Sequence, residues 1–409
     1  MVFIMRKILI ACQCATNKGD RAIAEYLIEQ ISANKDIELT LSTSEPHLWS
    51  DLFNKGIKVI GMGYKTYCST GSVNLIGKIC RKIEAFIHKN IMFRDMLNEK
   101  SKHNLLAFHS KEFVNAVKSS DLVIVTGGHH ITSIRSKNAL FAYTYDIGLI
   151  YLFSKKYVLW SQTIGPLDFT SKNAEDFFGK VIKNSAAVYI RDENSMECIE
   201  SLYGHQSNIV RTYDSVFGFG DRDFGIYESR EKKVGISIFN GLQKAFSTFP
   251  AIAKILDFLV EKGYKIEFFR MEFGNKEESD IETVISLMKN KKNIKIFPFR
   301  TTTAEHLAEL STCEIYIGYK THSIIMSLTT GTPLLAIAYH KKTIDFMREY
   351  GLEDYAVNDE SLTAEAAEKI IQKLLKEKDS VHSIEKEKSE HMSKVLKNNI
   401  REILSDVEN

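Results

Sequence analysis

Tyr319-Lys320-Thr321-His322-Ser323-Ile324-Ile325 is followed six residues on by Gly331-Thr332-Pro333-Leu334-Leu335-Ala336-Ile337-Ala338-Tyr339, and this stretch decides the reading of the chain. The apolar run at 313–317 before it has the length and composition of a buried strand. Lys320 and His322 therefore fall where the carboxyl end of a strand opens into a helix at 323–330, and 334–338 reads as the next strand. In open α/β sheets that edge is where ligands bind. Helix N-terminal N–H groups, a cation and an imidazole can together hold an anion and move a proton.

The same alternation extends in both directions. Backwards from residue 313 it predicts strands at 234–238, 265–269 and 294–297, with helices at 251–262, 277–290 and 304–311. Thr303 stands at the last of these as an N-cap. The first half predicts strands at 7–11, 37–41, 58–61, 122–125, 156–161 and 186–190, with a helix over 20–31. A polar, glycine-spaced stretch at 221–233 separates the two series and reads as a linker. The expected organisation is a first Rossmann-like domain at 1–220, a second at 234–375, and a Lys/Glu-rich helical tail at 376–409. The fold class is α/β, with two Rossmann-like domains facing a cleft in the glycosyltransferase-B-like manner and ligands expected in that cleft.

Length and charge agree. The 409 residues suit two domains. The formal net charge of +2 calls for no nucleic-acid partner. Hydrophobic residues make up 44% and charged residues 26%, ordinary for a globular protein. No run reaches the ~18 apolar residues of a spanning helix. The opening Met1-Val2-Phe3-Ile4-Met5-Arg6-Lys7 places its basic pair after the apolar stub, the wrong order for a signal peptide, so a cytoplasmic location is expected. The six cysteines, at 12, 14, 68, 80, 198 and 313, lack paired C-x-x-C spacing and predict neither a disulfide framework nor a structural zinc site.

Four further strand ends carry polar residues. Asn17-Lys18-Gly19-Asp20 follows the first strand; Gly19 permits close approach of another group, while Asp20 suits either a helix cap or an orienting role. It lacks the G-x-G-x-x-G fingerprint, which disfavours a dinucleotide. Thr126-Gly127-Gly128-His129-His130 follows the fourth strand, where paired glycines offer backbone N–H groups to an anion. Imidazoles at i and i+1 diverge, so His129 and His130 suit contact with a sugar better than a metal, and no metal site is predicted. Gln162-Thr163-Ile164-Gly165-Pro166 ends the fifth strand. Arg191-Asp192-Glu193-Asn194-Ser195 ends the sixth, with Arg191 either an anion ligand or half of an ion pair with Asp192 or Glu193.

Taken in order, Asn-x-Gly-Asp, Thr-Gly-Gly, Gln-Thr-Ile-Gly-Pro, Ile-Arg-Asp-Glu-Asn-Ser, Tyr-Asp-Ser (213–215) and the basic-x-His-Ser-Ile block before Gly-Thr-Pro resemble the polysaccharide pyruvyl transferase family over roughly residues 7–345. The resemblance implies an enzyme that moves the enolpyruvyl unit of phosphoenolpyruvate onto two hydroxyls of a sugar, forming a cyclic pyruvate ketal in surface or capsular polysaccharide. Phosphoenolpyruvate would be the donor substrate, with no cofactor. The implied donor ligands are Arg191, Lys320, Thr321 and His322, where the family's arginine is replaced by Lys320 and its bidentate geometry is lost. His322 is the implied acid/base group. Asp20 and Asp214 are candidates for a second proton transfer or for orienting the acceptor, and Asn17, Gly127, Gly128, His129 and His130 for binding it. His129 stands where the family has a third glycine.

Two other readings remain open. One is a nucleotide-sugar glycosyltransferase of the same architecture, disfavoured because 320–332 contains no Asp or Glu for a ribose. The other is a catalytically inactive glycan-binding relative. Residues 75–100 place Ile76, Ile79, Ile83 and Ile87 at helical spacing with Lys78, Arg81, Lys82 and Lys89 around them. This is either a core-packed helix with a charged face or a basic amphipathic helix making peripheral contact with the inner membrane face, which would suit a lipid-linked oligosaccharide acceptor.

Overall fold

The computed structural model describes residues 5–14, 16–63, 79, 82–83, 110–134, 137–169, 171–225, 230–239, 248–339 and 341–405. It divides into two compact units, one of Met1–Ala15, Ile23–Ser215 and Asn399–Asn409, the other of Thr16–Ala22 and Val216–Asn398.

In the first unit the apolar runs become strands β1 (Arg6–Gln13), β2 (Ile37–Thr43), β3 (Lys58–Gly61), β4 (Leu122–Val125), β5 (Gly128–Ile131), β6 (Tyr157–Ile164), β7 (Ala187–Ile190) and β8 (Ile209–Arg211). Helices α2 (Ser50–Phe53), α3 (Lys111–Ser119), α4 (Lys137–Phe153), α5 (Lys172–Asn184) and α6 (Glu193–Tyr203) lie between them, while α1 (Lys18–Ser32) has its first residues, through Ala22, in the second unit and the rest in the first. The sheet order is β3-β2-β1-β4-β6-β7-β8, with β5 paired to β6. Its ladders are all parallel. Every residue of β4 and β6 is buried, as expected for strands covered on both faces, and this is why 122–125 and 157–160 read as unbroken apolar runs. Phe113, Tyr145, Leu149, Phe177, Phe178 and Ile182 from the helices close over them.

The second unit repeats the plan with β9 (Glu231–Ile236), β10 (Lys265–Phe269), β11 (Ile294–Phe297), β12 (Cys313–Gly318), β13 (Leu334–Ala338) and β14 (Ala356–Asn358). Its helices are α7 (Phe249–Glu261), α8 (Asn275–Leu287), α9 (Thr303–Ser311), α10 (Thr321–Thr329), α11 (Lys341–Glu349) and α12 (Ala364–Ser405), the last of which belongs to the first unit from Asn399 onward. The sheet order β11-β10-β9-β12-β13-β14 reverses direction between β9 and β12. The crevice outside the carboxyl ends of those two strands is the ligand position of a doubly wound sheet.

Three local expectations change. Glu231–Lys233 lie in β9, not in the connection, since Lys233 is buried between Glu267 (2.7 Å) and Glu309 (2.5 Å). The N-cap of α9 is Thr302, not Thr303: its hydroxyl accepts from Glu305 N while the Glu305 carboxylate accepts from Thr302 N, a reciprocal capping box. The C-terminal helix starts at Ala364, not at 376, and runs for 42 residues, burying Ile371, Leu374, Val381 and Leu396 along one face. Of residues 75–100, Ile79, Lys82 and Ile83 are described, all helical and exposed; Ile76, Ile87, Lys78, Arg81 and Lys89 lie outside the described residues. No helix among the described residues is long and apolar enough to cross a membrane.

Candidate active site

The crevice of the second unit is built first by the strand ends. Ser237, just past β9, accepts from Tyr319 N (3.3 Å) and donates to Ser323 Oγ (2.6 Å), while Ser323 donates to Lys320 O (2.7 Å). These contacts fix the turn from β12 into α10. Lys320 is the N-cap residue, in extended backbone conformation and without a side-chain cap, so the first N–H groups of α10 open beside an ammonium.

The Lys320 side chain is buried and held on three sides. Nζ lies 3.0 Å from Glu272 Oε1, 3.4 Å from Glu277 Oε1 and 5.3 Å from the centre of the Phe239 ring. Glu277, in the first turn of α8, is itself anchored. Its carboxylate accepts from Met271 N (3.0 and 2.9 Å) and Glu272 N (2.8 Å), and Arg270 Nε stands 3.9 Å away. Burial pushes the Glu277 carboxyl up from its ordinary value against the opposing pull of Lys320 and the two N–H groups.

The peptide after β1 completes this surface. Asn17 bridges antiparallel to Glu272, Lys18 N donates to Met271 O (2.8 Å) and Phe273 N donates to Thr16 O (2.8 Å). Lys18, fully buried, donates from Nζ to Phe299 O (2.5 Å) and Thr301 O (2.7 Å). Asn17 Oδ1 accepts from Gly19 N (2.8 Å), and Asp20 sits in the first turn of α1. The His322 ring lies against Gly19 so closely that a β-carbon there would overlap its Cβ, Cγ and Nδ1. The structure thus brings Asn17, Gly19 and Asp20 into the same unit as Lys320, Thr321 and His322.

Arg191 and Asp214 belong to the first unit, at the carboxyl ends of β7 and β8. Arg191 Nη1 pairs with Asp214 Oδ2 and its Nε donates to Thr163 Oγ1 (2.7 Å). Asp192, offered by the sequence as a partner for Arg191, instead caps α6 through Ser195 N (3.0 Å) and accepts from the Thr163 hydroxyl (2.7 Å). Glu193 is the first residue of α6. The Arg191–Asp214 side chains are 11% and 5% exposed, and the guanidinium is held by Thr163 at Nε and by Asp214 at Nη1.

Gly127 has no room for a side chain because the Trp160 and Ser161 carbonyls lie against it, and Gly128 opens β5 opposite Gln162 at φ 134°. Gln162 Nε2 donates to Val125 O (3.2 Å) and Thr126 O (2.8 Å), tying this turn to β6. His129 Nε2 bonds Gly165 O at 2.8 Å, whereas His130 stacks on Tyr143 with centroids 4.8 Å apart, so the two rings diverge.

Sequence reasoning missed Glu272, Glu277 and Phe239. Glu277 stands at an expected helix start, but its contact is with Lys320, 43 residues further along, which no local spacing reveals.

Comparison with known proteins follows the same lines. A family model described as polysaccharide pyruvyl transferase matches residues 17–341. The amylovoran biosynthesis protein AmsJ of Erwinia amylovora is 21% identical over 389 residues, covering 88% of this chain and 89% of its own. Among solved structures, Anabaena HepE in complex with UDP-glucose aligns with a TM-score of 0.58 at 12% identity, over 98% of this chain and 99% of that one. A glycosyltransferase from Rickettsia africae aligns at 0.54 and 11%, over 98% of each chain. At such identities the structural likeness speaks for the fold alone: α/β, with two Rossmann-like domains of the glycosyltransferase-B type.

Proposed function

Because the chain belongs to the polysaccharide pyruvyl transferase family, and is thereby a transferase of polysaccharide biosynthesis, we propose that it closes a pyruvate ketal on a sugar using phosphoenolpyruvate as donor. The observation that carries this reading is the placement of Lys320 and His322 at the uncapped N-terminus of α10, at the reversal point of the second sheet. A three-carbon unit bearing both a carboxylate and a phosphate calls for a cation and convergent N–H donors. Lys320, Thr321 and the first turn of α10 supply them, and Arg191 is proposed as a further donor ligand.

In the proposed reaction one sugar hydroxyl adds to C2 of the enolpyruvyl unit while C3 takes a proton and becomes a methyl group. The second hydroxyl then displaces phosphate from C2, and its proton leaves with the phosphate. His322 delivers the proton to C3 and accepts one from a hydroxyl, work an imidazole performs in both directions near neutral pH. Asp20 is proposed to orient the acceptor or take the second proton, with Asn17, Gly127, Gly128, His129 and His130 as acceptor contacts. Asp214, paired with Arg191, is assigned to holding that guanidinium. A lipid-linked acceptor, met at the membrane surface through residues 75–100, is the corresponding proposal for the partner.

The test is phosphate release from phosphoenolpyruvate in the presence of an unpyruvylated surface glycan, run beside UDP-sugars as alternative donors. Acceptor-dependent phosphate release supports the reading. Turnover of a UDP-sugar without use of phosphoenolpyruvate refutes it.

A further inference from the structure

We propose that Glu272 is the resting counter-ion of Lys320 and sets which anions the donor site admits, an inference that rests on the function proposed above. Two carboxylates face one ammonium, and they differ in how they are held. The Glu277 side chain is 4% exposed and locked by Met271 N and Glu272 N, so it stays with Lys320 whatever else binds. The Glu272 side chain is 41% exposed, and among the described residues its carboxylate meets Lys320 alone. Its backbone is pinned by the bridge to Asn17 and by the Glu272 N–H bond to Glu277, while the side chain borders solvent.

An ammonium has three N–H donors, and with the Phe239 ring covering another side, the position held by the Glu272 carboxylate is the one an incoming anion must take. Entry therefore requires exchange of one carboxylate for another group. A ligand carrying both carboxylate and phosphate gains enough from Lys320 and the α10 N–H groups together to displace Glu272; a simple monocarboxylate gains only what Glu272 already provides. Glu272 thus acts as a selectivity filter, and the strength of donor binding reflects competition with it.

The experiment is titration calorimetry of the full chain with phosphoenolpyruvate and, separately, with pyruvate, for the unaltered protein and for Glu272→Gln, Glu272→Ala and Lys320→Met. Removing the exposed charge is expected to tighten phosphoenolpyruvate by about fivefold, the scale of an exposed ion pair, and to let pyruvate bind measurably. Lys320→Met is expected to abolish both gains. If the unaltered protein binds phosphoenolpyruvate and both Glu272 variants bind it equally or more weakly, the counter-ion role is overturned while the proposed function stands. If no form binds phosphoenolpyruvate, the donor assignment fails and this inference falls with it.

Discussion

The imidazole of His322 rests on the α-carbon of Gly19, with no space for a β-carbon between them. The glycine of the Asn-x-Gly-Asp segment and the histidine of the Lys-x-His segment, some three hundred residues apart, are therefore one structural unit. Asn17, which accepts from Gly19 N, and the bridge to Glu272 hold the same peptide beside Lys320.

Gly19→Ala should accordingly move His322 more than it unfolds the protein. An overpacked contact of this kind costs ~1–3 kcal/mol. We expect a drop in melting temperature of a few degrees and a loss of turnover of about tenfold or more. An alanine variant with unchanged turnover would mean that the ring position has no bearing on the chemistry.

His322→Ala should retain the fold, since the ring is only half-buried, and lower turnover by about two orders of magnitude or more, the scale of a positioned acid/base group. Circular dichroism and steady-state rates on the same preparation check both halves. A folded variant with normal turnover removes His322 from the mechanism.

Arg191→Ala should weaken the protein as well as the donor complex, because it removes the guanidinium paired with the buried Asp214 carboxylate. Breaking one partner of a buried pair costs on the order of 3–5 kcal/mol. Chemical denaturation should show that loss and its partial recovery in the Arg191→Ala/Asp214→Asn double variant. Equal stability of the single variant and the unaltered protein would show that the pair is not structural.

Two buried groups predict how stability responds to pH. Glu385 on α12 is fully buried with neither carboxylate oxygen hydrogen-bonded among the described residues, and burial pushes its carboxyl well above the ordinary range despite the charge of Arg230. The folded state then binds the proton more tightly than the unfolded chain, so this contribution is full below about pH 4.3 and declines as pH rises through the folded value. The stability advantage of Glu385→Gln should therefore grow with pH above that point. His306, enclosed by Phe269 and Phe297, is held well below its usual value by burial and then by Lys18. Its contribution runs the other way, present above about pH 6.5 and lost as pH falls below it. Melting curves between pH 4 and 9 on the Glu385→Gln and His306→Phe variants separate the two, and variants whose pH profiles match the unaltered protein would contradict both assignments.

Much of this architecture was visible in the sequence. Parallel strands buried on both faces, such as Leu122–Val125 and Leu334–Ala338, leave apolar runs that local reading places within a residue or two. What escaped depends on contacts between distant segments. Glu272 and Glu277 look like ordinary polar residues near a helix start until Lys320 is packed against them. Arg191 has acidic neighbours on its C-terminal side, and its partner is nevertheless Asp214 on the next strand end. In α12 the dense Lys/Glu pattern conceals the face that carries Glu385, Ser389 and Ser393 inside. β5 (Gly-His-His-Ile) has no apolar run to mark it, and β8 and β14 span three residues each, too short to show a period.

Transfer of a pyruvyl unit from phosphoenolpyruvate is read out by NMR of the product formed in deuterium oxide from phosphoenolpyruvate and an unpyruvylated surface glycan. Protonation at C3 followed by closure at C2 predicts an acid-labile ketal whose methyl group carries one solvent deuterium, formed in step with released phosphate. A glycan recovered unchanged with phosphoenolpyruvate intact, or one extended by a sugar from a UDP-linked donor, would contradict it.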